Sequence, residues 1–309
     1  MGEFLEYVGY SFLRAVGRTL PYAWADALGM ATGRFLFSVF GVRRRVSMEN
    51  LRHAFPERTE SELLRIARDA MGNYARTMML FFWSTARDGS SINARLHFVG
   101  AHHATDAAAR GRGLIILSGH FGAWELFPLA FATQLNLPMT IIAHTQSNAL
   151  VDAVIVRDRN RFGNRIVTME QAPREVISVL RNGGALGLLG DQSGPKESLF
   201  VEFFGRPCAT YRGPALFSLR QGSPIVMPMM IRRPDRGYDI IIEPIDSSDL
   251  EGSTEANIQT LTERHTALLE RYIRACPDQW LWAHKRWKHT ESFLRRQRSS
   301  RPQADARAS

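Results

Sequence analysis

Between Thr59 and Phe82 the apolar residues recur three and four positions apart, at Leu63, Ile66, Ala67, Ala70, Met71, Tyr74, Met78 and Phe82. That repeat is the buried stripe of one long amphipathic helix. Thr59 followed by Glu62 has capping-box spacing, which places the start of the helix there. Downstream the pattern breaks into short apolar runs at 96–99, 113–118, 139–144, 165–168, 185–189, 199–203, 224–231 and 238–243, each predicting a strand. Helical spacing between them predicts helices near 101–110, 122–135, 149–162, 171–182 and 211–221, and a last one from about Glu255 to Ala275. Strands alternating with helices define an α/β fold, here a mixed, mostly parallel sheet covered by helices.

The amino end follows a different pattern. Residues 3–18 and 22–40 carry Phe4, Phe12, Trp24, Phe35, Phe37 and Phe40, yet Asp26 and Arg34 interrupt the segment from Leu20 to Val42 and leave no 18-residue uncharged run. A spanning helix is therefore not expected. These segments read as helices lying in or against a membrane interface, with packing on the rest of the chain as the alternative. The basic cluster Arg43-Arg44-Arg45 follows and, if the helices dip into lipid, assigns the remainder to the cytoplasmic side. With Glu3 and Glu6 near the start and no uninterrupted apolar h-region, a cleaved secretory signal is not expected, and the mature chain should begin near Met1. A longer uncharged run, Leu126 to Val151, contains Pro128, Pro138, Gln134 and Asn136 and reads as a helix, turn and strand inside a core. The expected organisation is a membrane-associated segment over 1–45, one catalytic domain over 46–296 and a disordered polar tail over 297–309. No repeat of solenoid period occurs, and nothing in the pattern sets an oligomeric state.

Charge narrows the partners only to a class. The chain of 309 residues carries a formal net charge of +9, which implies an anionic partner; a phosphorylated glycolipid, an anionic bilayer and nucleic acid would all satisfy it. The two cysteines, Cys208 and Cys276, are far apart and outside any C-x-x-C spacing, so neither a disulfide framework nor a zinc site is suggested. G-x-S-x-G, P-loop, dinucleotide and H-E-x-x-H patterns are absent from the sequence.

The chemistry concentrates after the strand at 113–118, in Gly119-His-Phe-Gly-Ala-Trp-Glu125. On one continuous helix, five residues turn through about 500°, leaving His120 and Glu125 roughly 140° apart and out of reach. If His120 instead ends the strand or its turn and Glu125 lies in the first turns of the next helix, the carboxylate can meet one imidazole nitrogen while the other faces a substrate. The pair then reads as a general base with its orienter, fit to take a proton from a hydroxyl. The bland alternative is a strand-closing histidine and an acid near a helix N-terminus. Ser118, Gly119, Gly122 and Ala123 favour the first reading, because small residues after a hydrophobic strand let a ligand approach the backbone where open α/β sheets place their sites.

This run resembles the H-x-x-x-x-[D/E] box of glycerolipid-type acyltransferases, and the sequence around it is similar to bacterial lipid A late acyltransferases, the lauroyl and myristoyl transferases that use acyl carrier protein thioesters. Further landmarks of that family match in order: Asn50-Leu-Arg-His-Ala-Phe-Pro56, Arg159-Asn-Arg-Phe-Gly163, Gly190-Asp-Gln192, Phe203-Phe-Gly205 with Pro207, Thr210 and Gly213, and Trp282-x-His284-x-Arg286-Trp287. They span roughly residues 20 to 290. The box alone identifies the broad superfamily; the ordered set is specific to the lipid A type and its close relatives.

The resemblance implies direct transfer of a fatty acyl group from an acyl thioester to a hydroxyl of a membrane glycolipid, a lipid A precursor first. An acyl-coenzyme A donor, a mannosylated, amino- or lysophospholipid acceptor, and hydrolysis of a lipid or thioester are the alternatives. His120 would be the base, Glu125 its orienter and Arg159 the oxyanion donor, with Arg157 or Arg161 close enough in sequence to take that part instead. Asp191 and Gln192, after the glycine-spaced apolar strand, are support or substrate-side candidates that could hold the catalytic helix or an arginine; turn capping is the plain alternative. The acyl chain needs an apolar slot. Phe121 and Trp124, with Met71, Met78, Met79, Phe81, Phe82, Trp83, Phe203 and Phe204, are candidate linings, each also suited to ordinary core packing. Trp280, Trp282, Trp287 and Phe293, interleaved with His284, Lys285, Arg286, Lys288, Arg295, Arg296 and Arg298, read as a headgroup-facing stretch ahead of a packed aromatic cluster or a nucleic-acid surface. The expected partners are acyl carrier protein and an anionic membrane lipid or glycolipid, with no nucleic acid, no metal and no resident cofactor. The expected location is the cytoplasmic face of the inner membrane.

Overall fold

The computed structural model of the protein describes residues 2–300. Four helices come first: α1 (Gly2–Thr19), α2 (Tyr22–Val39), α3 (Arg44–Ala54) and α4 (Glu60–Ser84). Helix α4 begins where its capping box predicts, with the Glu62 N–H donating to Thr59 Oγ1 at 3.4 Å and the Thr59 N–H to Glu62 Oε2 at 2.9 Å. Helix α2 lies directly on α4. A Cβ on Gly29 would stand 2.5 Å from Arg76 Cα, and one on Gly33 would stand 2.2 Å from the Met71 carbonyl oxygen, so only glycine permits the approach. Asp26, which breaks the apolar run in sequence, is buried between the guanidinium groups of Arg76 (3.1 Å) and Arg232 (2.8 Å). Its charge is compensated by the protein rather than by water.

The packing alternative holds for one face of the amino-terminal helices, and the opposite face is left uncovered. The inner face packs through Ala25, Phe37 and the glycines, while Phe4, Phe12, Trp24, Phe35 and Phe40 are more than half exposed on the outer face. Among the described residues no helix is long and apolar enough to cross a membrane. Arg44 and Arg45 of the basic cluster open α3, an element the polarity pattern did not predict.

The α/β part follows as α5 (Gly89–Asn93), β1 (Leu96–Val99), α6 (His102–Ala109), β2 (Leu114–Ser118), α7 (Phe127–Gln134), β3 (Met139–Ala143), α8 (Ala149–Arg159), β4 (Arg165–Thr168), α9 (Ala172–Arg181) and β5 (Ala185–Leu189). Next come the hairpin β6 (Leu199–Phe203) and β7 (Arg206–Thr210), then α10 (Gly213–Gln221), β8 (Ile225–Arg232), β9 (Tyr238–Ile245), α11 (Glu255–Ala275) and α12 (Thr290–Ser300). Seven strands form one sheet in the order β1-β9-β8-β2-β5-β3-β4, parallel throughout except for the antiparallel β8–β9 pair. The expected mixed, mostly parallel sheet is what forms. Strand β2 is buried along its whole length, as a central strand covered on both faces must be. Consecutive residues feed opposite layers: Leu117 and Met227 join the cluster that contains Leu180, and Ile116 and Val226 join the one that contains Phe131.

Three local differences have physical causes. Strand β7 was not predicted because its hairpin turn is Phe204-Gly205, both left-handed (φ 52° and 69°), and a phenylalanine at the first turn position lacks the usual Asn-Gly signal. The helix expected over 122–135 shortens to α7, because Gly122 takes φ 61° with the Met230 carbonyl oxygen 2.0 Å from where a Cβ would be, so the chain bends there. The tryptophan stretch does not face headgroups: Trp280, Trp282 and Trp287 are buried, Phe203 stacks on Trp287 at 5.6 Å, and the buried Arg286 donates to Ala209 O and Thr210 Oγ1, both at 2.7 Å. Helix α12 runs into the tail expected from Gln297, and the rest of that tail, 301–309, lies outside the described residues.

Candidate active site

Strands β2 and β5 are parallel neighbours with Ser118 paired to Leu189. Each strand continues into a glycine and then a polar residue, Gly119-His120 on one and Gly190-Asp191 on the other, so the register alone sets His120 beside Asp191 at the carboxyl ends of the strands. Asp191 Oδ2 accepts the His120 backbone N–H at 2.8 Å, and Oδ1 lies 2.8 Å from the ring Nδ1. The indole N–H of Trp280 also donates to Oδ2, at 2.8 Å. An ionised carboxylate has only acceptors, so Nδ1 carries the hydrogen and Nε2 keeps its lone pair.

Burial by itself would lower the His120 pKa, but the charge and hydrogen bond of Asp191 outweigh it and hold the imidazole above the usual histidine value. Asp191 experiences the same contest with the opposite sign: burial raises it, while His120 and the donors around it bring it down to about 2. The carboxylate is therefore charged through the neutral pH range.

The expected contact between Glu125 and the imidazole does not form; Asp191 occupies that place. Glu125 sits in the turns before α7 rather than in its first turn, and its buried carboxylate is gripped by Arg159, the last residue of α8. Arg159 Nε donates to Oε2 at 3.0 Å and Nη2 donates to Oε1, a bidentate pair. Burial works against the Arg159 cation and Glu125 more than restores it, so its pKa is raised. His120, Glu125 and Arg159 together line a cavity of about 500 Å³.

That cavity is otherwise mostly apolar. It is lined by residues of β3 and β5, with Phe81, Phe127, Met139, Ile141, Leu188 and Phe217 among its apolar walls. Trp124 is in the wall, 5.2 Å from the His120 ring and edge-on to it, and Gln192 lines the rim. The other sequence candidates lie elsewhere. Phe121 is buried beneath the site against Tyr272, at 6.4 Å between rings. Arg157 points largely into solvent beside Asp158, and Arg161 donates to the Ser84 and Arg87 carbonyls at 2.6 Å, bracing a loop. Of the residues offered as chain lining, Phe81 and Trp124 reach the cavity, whereas Met71, Phe203 and Phe204 belong to the core.

Sequence reasoning missed how the carboxyl-terminal stretch braces the site. The Leu281 N–H donates to His120 O at 3.1 Å, the Gly122 N–H to Gln279 O at 2.8 Å, and His284 Nε2 accepts the Ser193 N–H at 3.1 Å. The repeated strand-Gly-polar arrangement at 118–120 and 189–191 was the available signal for the His120–Asp191 contact. Among the described residues no group of three or more His, Cys, Asp or Glu side chains comes together as metal ligands do.

A histidine fixed by a buried carboxylate, beside a paired arginine and over an apolar cavity at the strand ends, defines an α/β enzyme equipped to activate a hydroxyl next to an aliphatic chain. The chain belongs to the bacterial lipid A biosynthesis acyltransferases, whose family model matches residues 1–289, and it is an O-acyltransferase. It is similar to the lipid A biosynthesis lauroyltransferase of Escherichia coli (26% identity over 291 residues, 92% of this chain and 91% of the relative) and to the lipid A biosynthesis acyltransferase of Haemophilus influenzae (25% over 266 residues, 85% and 81%). A phosphatidylinositol mannoside acyltransferase of Mycolicibacterium smegmatis is 24% identical over 315 residues, 96% of either chain.

Proposed function

We propose that the enzyme transfers a fatty acyl group from an acyl carrier protein thioester to a hydroxyl of a phosphorylated lipid A precursor at the cytoplasmic face of the inner membrane. The observation that carries the reading is the free Nε2 of an Asp191-held imidazole at the wall of an apolar cavity. Donor and acceptor bind together. His120 Nε2 takes the hydroxyl proton, the oxygen attacks the thioester carbonyl, and the tetrahedral oxyanion forms beside Arg159, whose N–H groups not engaged by Glu125 are the donors for it. Collapse breaks the C–S bond, and the proton on His120 goes to the leaving thiolate. The step balances on donor and acceptor alone and requires neither a covalent enzyme intermediate nor a resident cofactor.

The acceptor assignment draws on the names of the Escherichia coli and Haemophilus relatives, and the net charge of +9 suits a phosphorylated glycolipid. A mannosylated phospholipid acceptor is the second reading, favoured by the length over which the Mycolicibacterium relative aligns. Membrane association is supported by the exposed apolar outer face of α1 and α2. Purified enzyme in detergent, offered acyl carrier protein and coenzyme A thioesters with each acceptor class, should give an acylated disaccharide by mass spectrometry. Release of free fatty acid alone, or acylation of the mannolipid alone, would reject the first reading.

A further inference from the structure

Helix α8 ends on Arg159, and α1 fastens it at both ends. At the start of α8, the Asn148 side chain caps the helix by accepting the Leu150 and Val151 N–H groups at 3.1 and 3.3 Å. The same side chain turns its amide Nδ2 outward, donating to Glu3 O at 2.7 Å and Glu6 Oε2 at 3.0 Å on α1. At the far end, Arg14 grips Asp158 with two bonds, Nε to Oδ2 at 2.5 Å and Nη2 to Oδ1 at 2.7 Å. The two helices therefore run side by side in the same direction, tied at matching ends.

Asp158 needs that tie. A carboxylate one residue from the end of α8 stands at the negative pole of the helix, the wrong end for its charge, and it is almost completely buried. The Arg14 fork supplies its two hydrogen bonds, and the solvent-facing Arg157 adds a looser ion pair at 3.6 Å. The next residue is Arg159, so the backbone that fixes Asp158 also fixes where the Arg159 guanidinium starts. Between the ties, Tyr10 packs edge-on against Phe82 at 5.2 Å, and burial, with the charges of Asp158 and Glu125, pushes its hydroxyl pKa up.

We propose that Arg14 and Asp158 are positioning residues for Arg159, so that α1, a helix with an exposed apolar face, also sets the aim of the oxyanion donor into the cavity. The inference rests on the oxyanion role of Arg159 in the proposed reaction. A misplacement of about 1 Å in a catalytic group can cost on the order of 10²-fold in rate.

The test uses the full chain in detergent with a medium-chain acyl carrier protein thioester and the phosphorylated disaccharide acceptor. Arg14→Ala and the near-isosteric Asp158→Asn should each lower kcat by about 10- to 100-fold while leaving both KM values within about twofold. Arg14→Lys should recover part of the loss. In an Arg159→Ala background, Arg14→Ala should cause no further loss. Should Arg14→Ala fail to fold, Asp158→Asn carries the comparison. Wild-type kcat in Arg14→Ala and Asp158→Asn alongside an impaired Arg159→Ala would overturn the inference, as would losses that multiply in the Arg159→Ala background. Normal turnover of Arg159→Ala would instead remove the oxyanion role and this inference with it.

Discussion

Asp191 commits both carboxylate oxygens to His120, one to the ring Nδ1 and one to the backbone N–H, each at 2.8 Å. The backbone bond anchors the carboxylate, the ring bond orients the imidazole against it, and the basic nitrogen is directed away from the carboxylate. The pairing follows from β2 and β5 being adjacent and in register, which makes it a consequence of the fold rather than of the local box.

The pair sets the pH dependence. A general base works only when deprotonated, and Asp191 holds the His120 pKa above the ordinary value, so the acidic limb of kcat/KM should lie above the usual histidine range. Replacing Asp191 by Asn removes the charge and lets burial dominate. The limb should then move to lower pH while turnover falls about 10²-fold or more. A profile from pH 5 to 9 on both enzymes checks this; an unmoved limb would mean that another group titrates.

Glu125 should behave differently, because its partner is Arg159. Glu125→Gln should lower kcat by loosening the guanidinium, yet move the acidic limb less than Asp191→Asn does. The double variant Glu125→Ala/Arg159→Ala should be little worse than the worse single, since the pair acts as one unit. Independent multiplication of the two losses would separate them.

Much of this was legible from the chain. The period of α4, its capping box, the alternation of strands and helices and the position of His120 at a strand end all come from local pattern, which hydrophobic spacing encodes directly. What escaped was non-local. Whether Asp191 or Glu125 meets the imidazole depends on β5 inserting between β2 and β3, and strand order leaves no periodic trace. The tryptophans at 280–287 misled for a related reason: aromatic and basic residues interleave in sequence, but Arg286 turns inward to satisfy β7 carbonyl and hydroxyl groups and carries its neighbours into the core. Asp26 and Arg34, read as interrupting the apolar run, gave no hint that α2 would bind α4 through Gly29 and Gly33.

The close α2–α4 contact changes how membrane association is best tested. Deleting 1–45 would expose the α4 face and strip Asp26 from Arg76 and Arg232, so point changes on the outer face are cleaner. Phe4→Ser, Phe12→Ser and Trp24→Ser combined should greatly reduce sedimentation with anionic vesicles, while turnover on detergent-dispersed substrate stays within about twofold. The residual binding should fall further with salt, being electrostatic. Undiminished sedimentation would place the lipid contact on another surface.

Chain length should be set deep in the cavity, where Gly187 of β5 faces Met139 of β3. A Cβ at Gly187 would stand 2.7 Å from Met139 Sδ and 3.3 Å from Ile141 Cγ1. The methionine end is flexible and can yield, but only by moving into cavity space that an aliphatic chain would otherwise fill. Gly187 takes no left-handed backbone angle, so alanine is tolerated there conformationally. Gly187→Ala should thus leave short donors nearly unaffected and penalise longer ones, each methylene denied burial losing about 0.8 kcal/mol, roughly fourfold in kcat/KM. Competing thioesters that differ by two carbons, with products weighed together, give the ratio directly. An equal loss on every chain length would place the chain terminus away from Gly187.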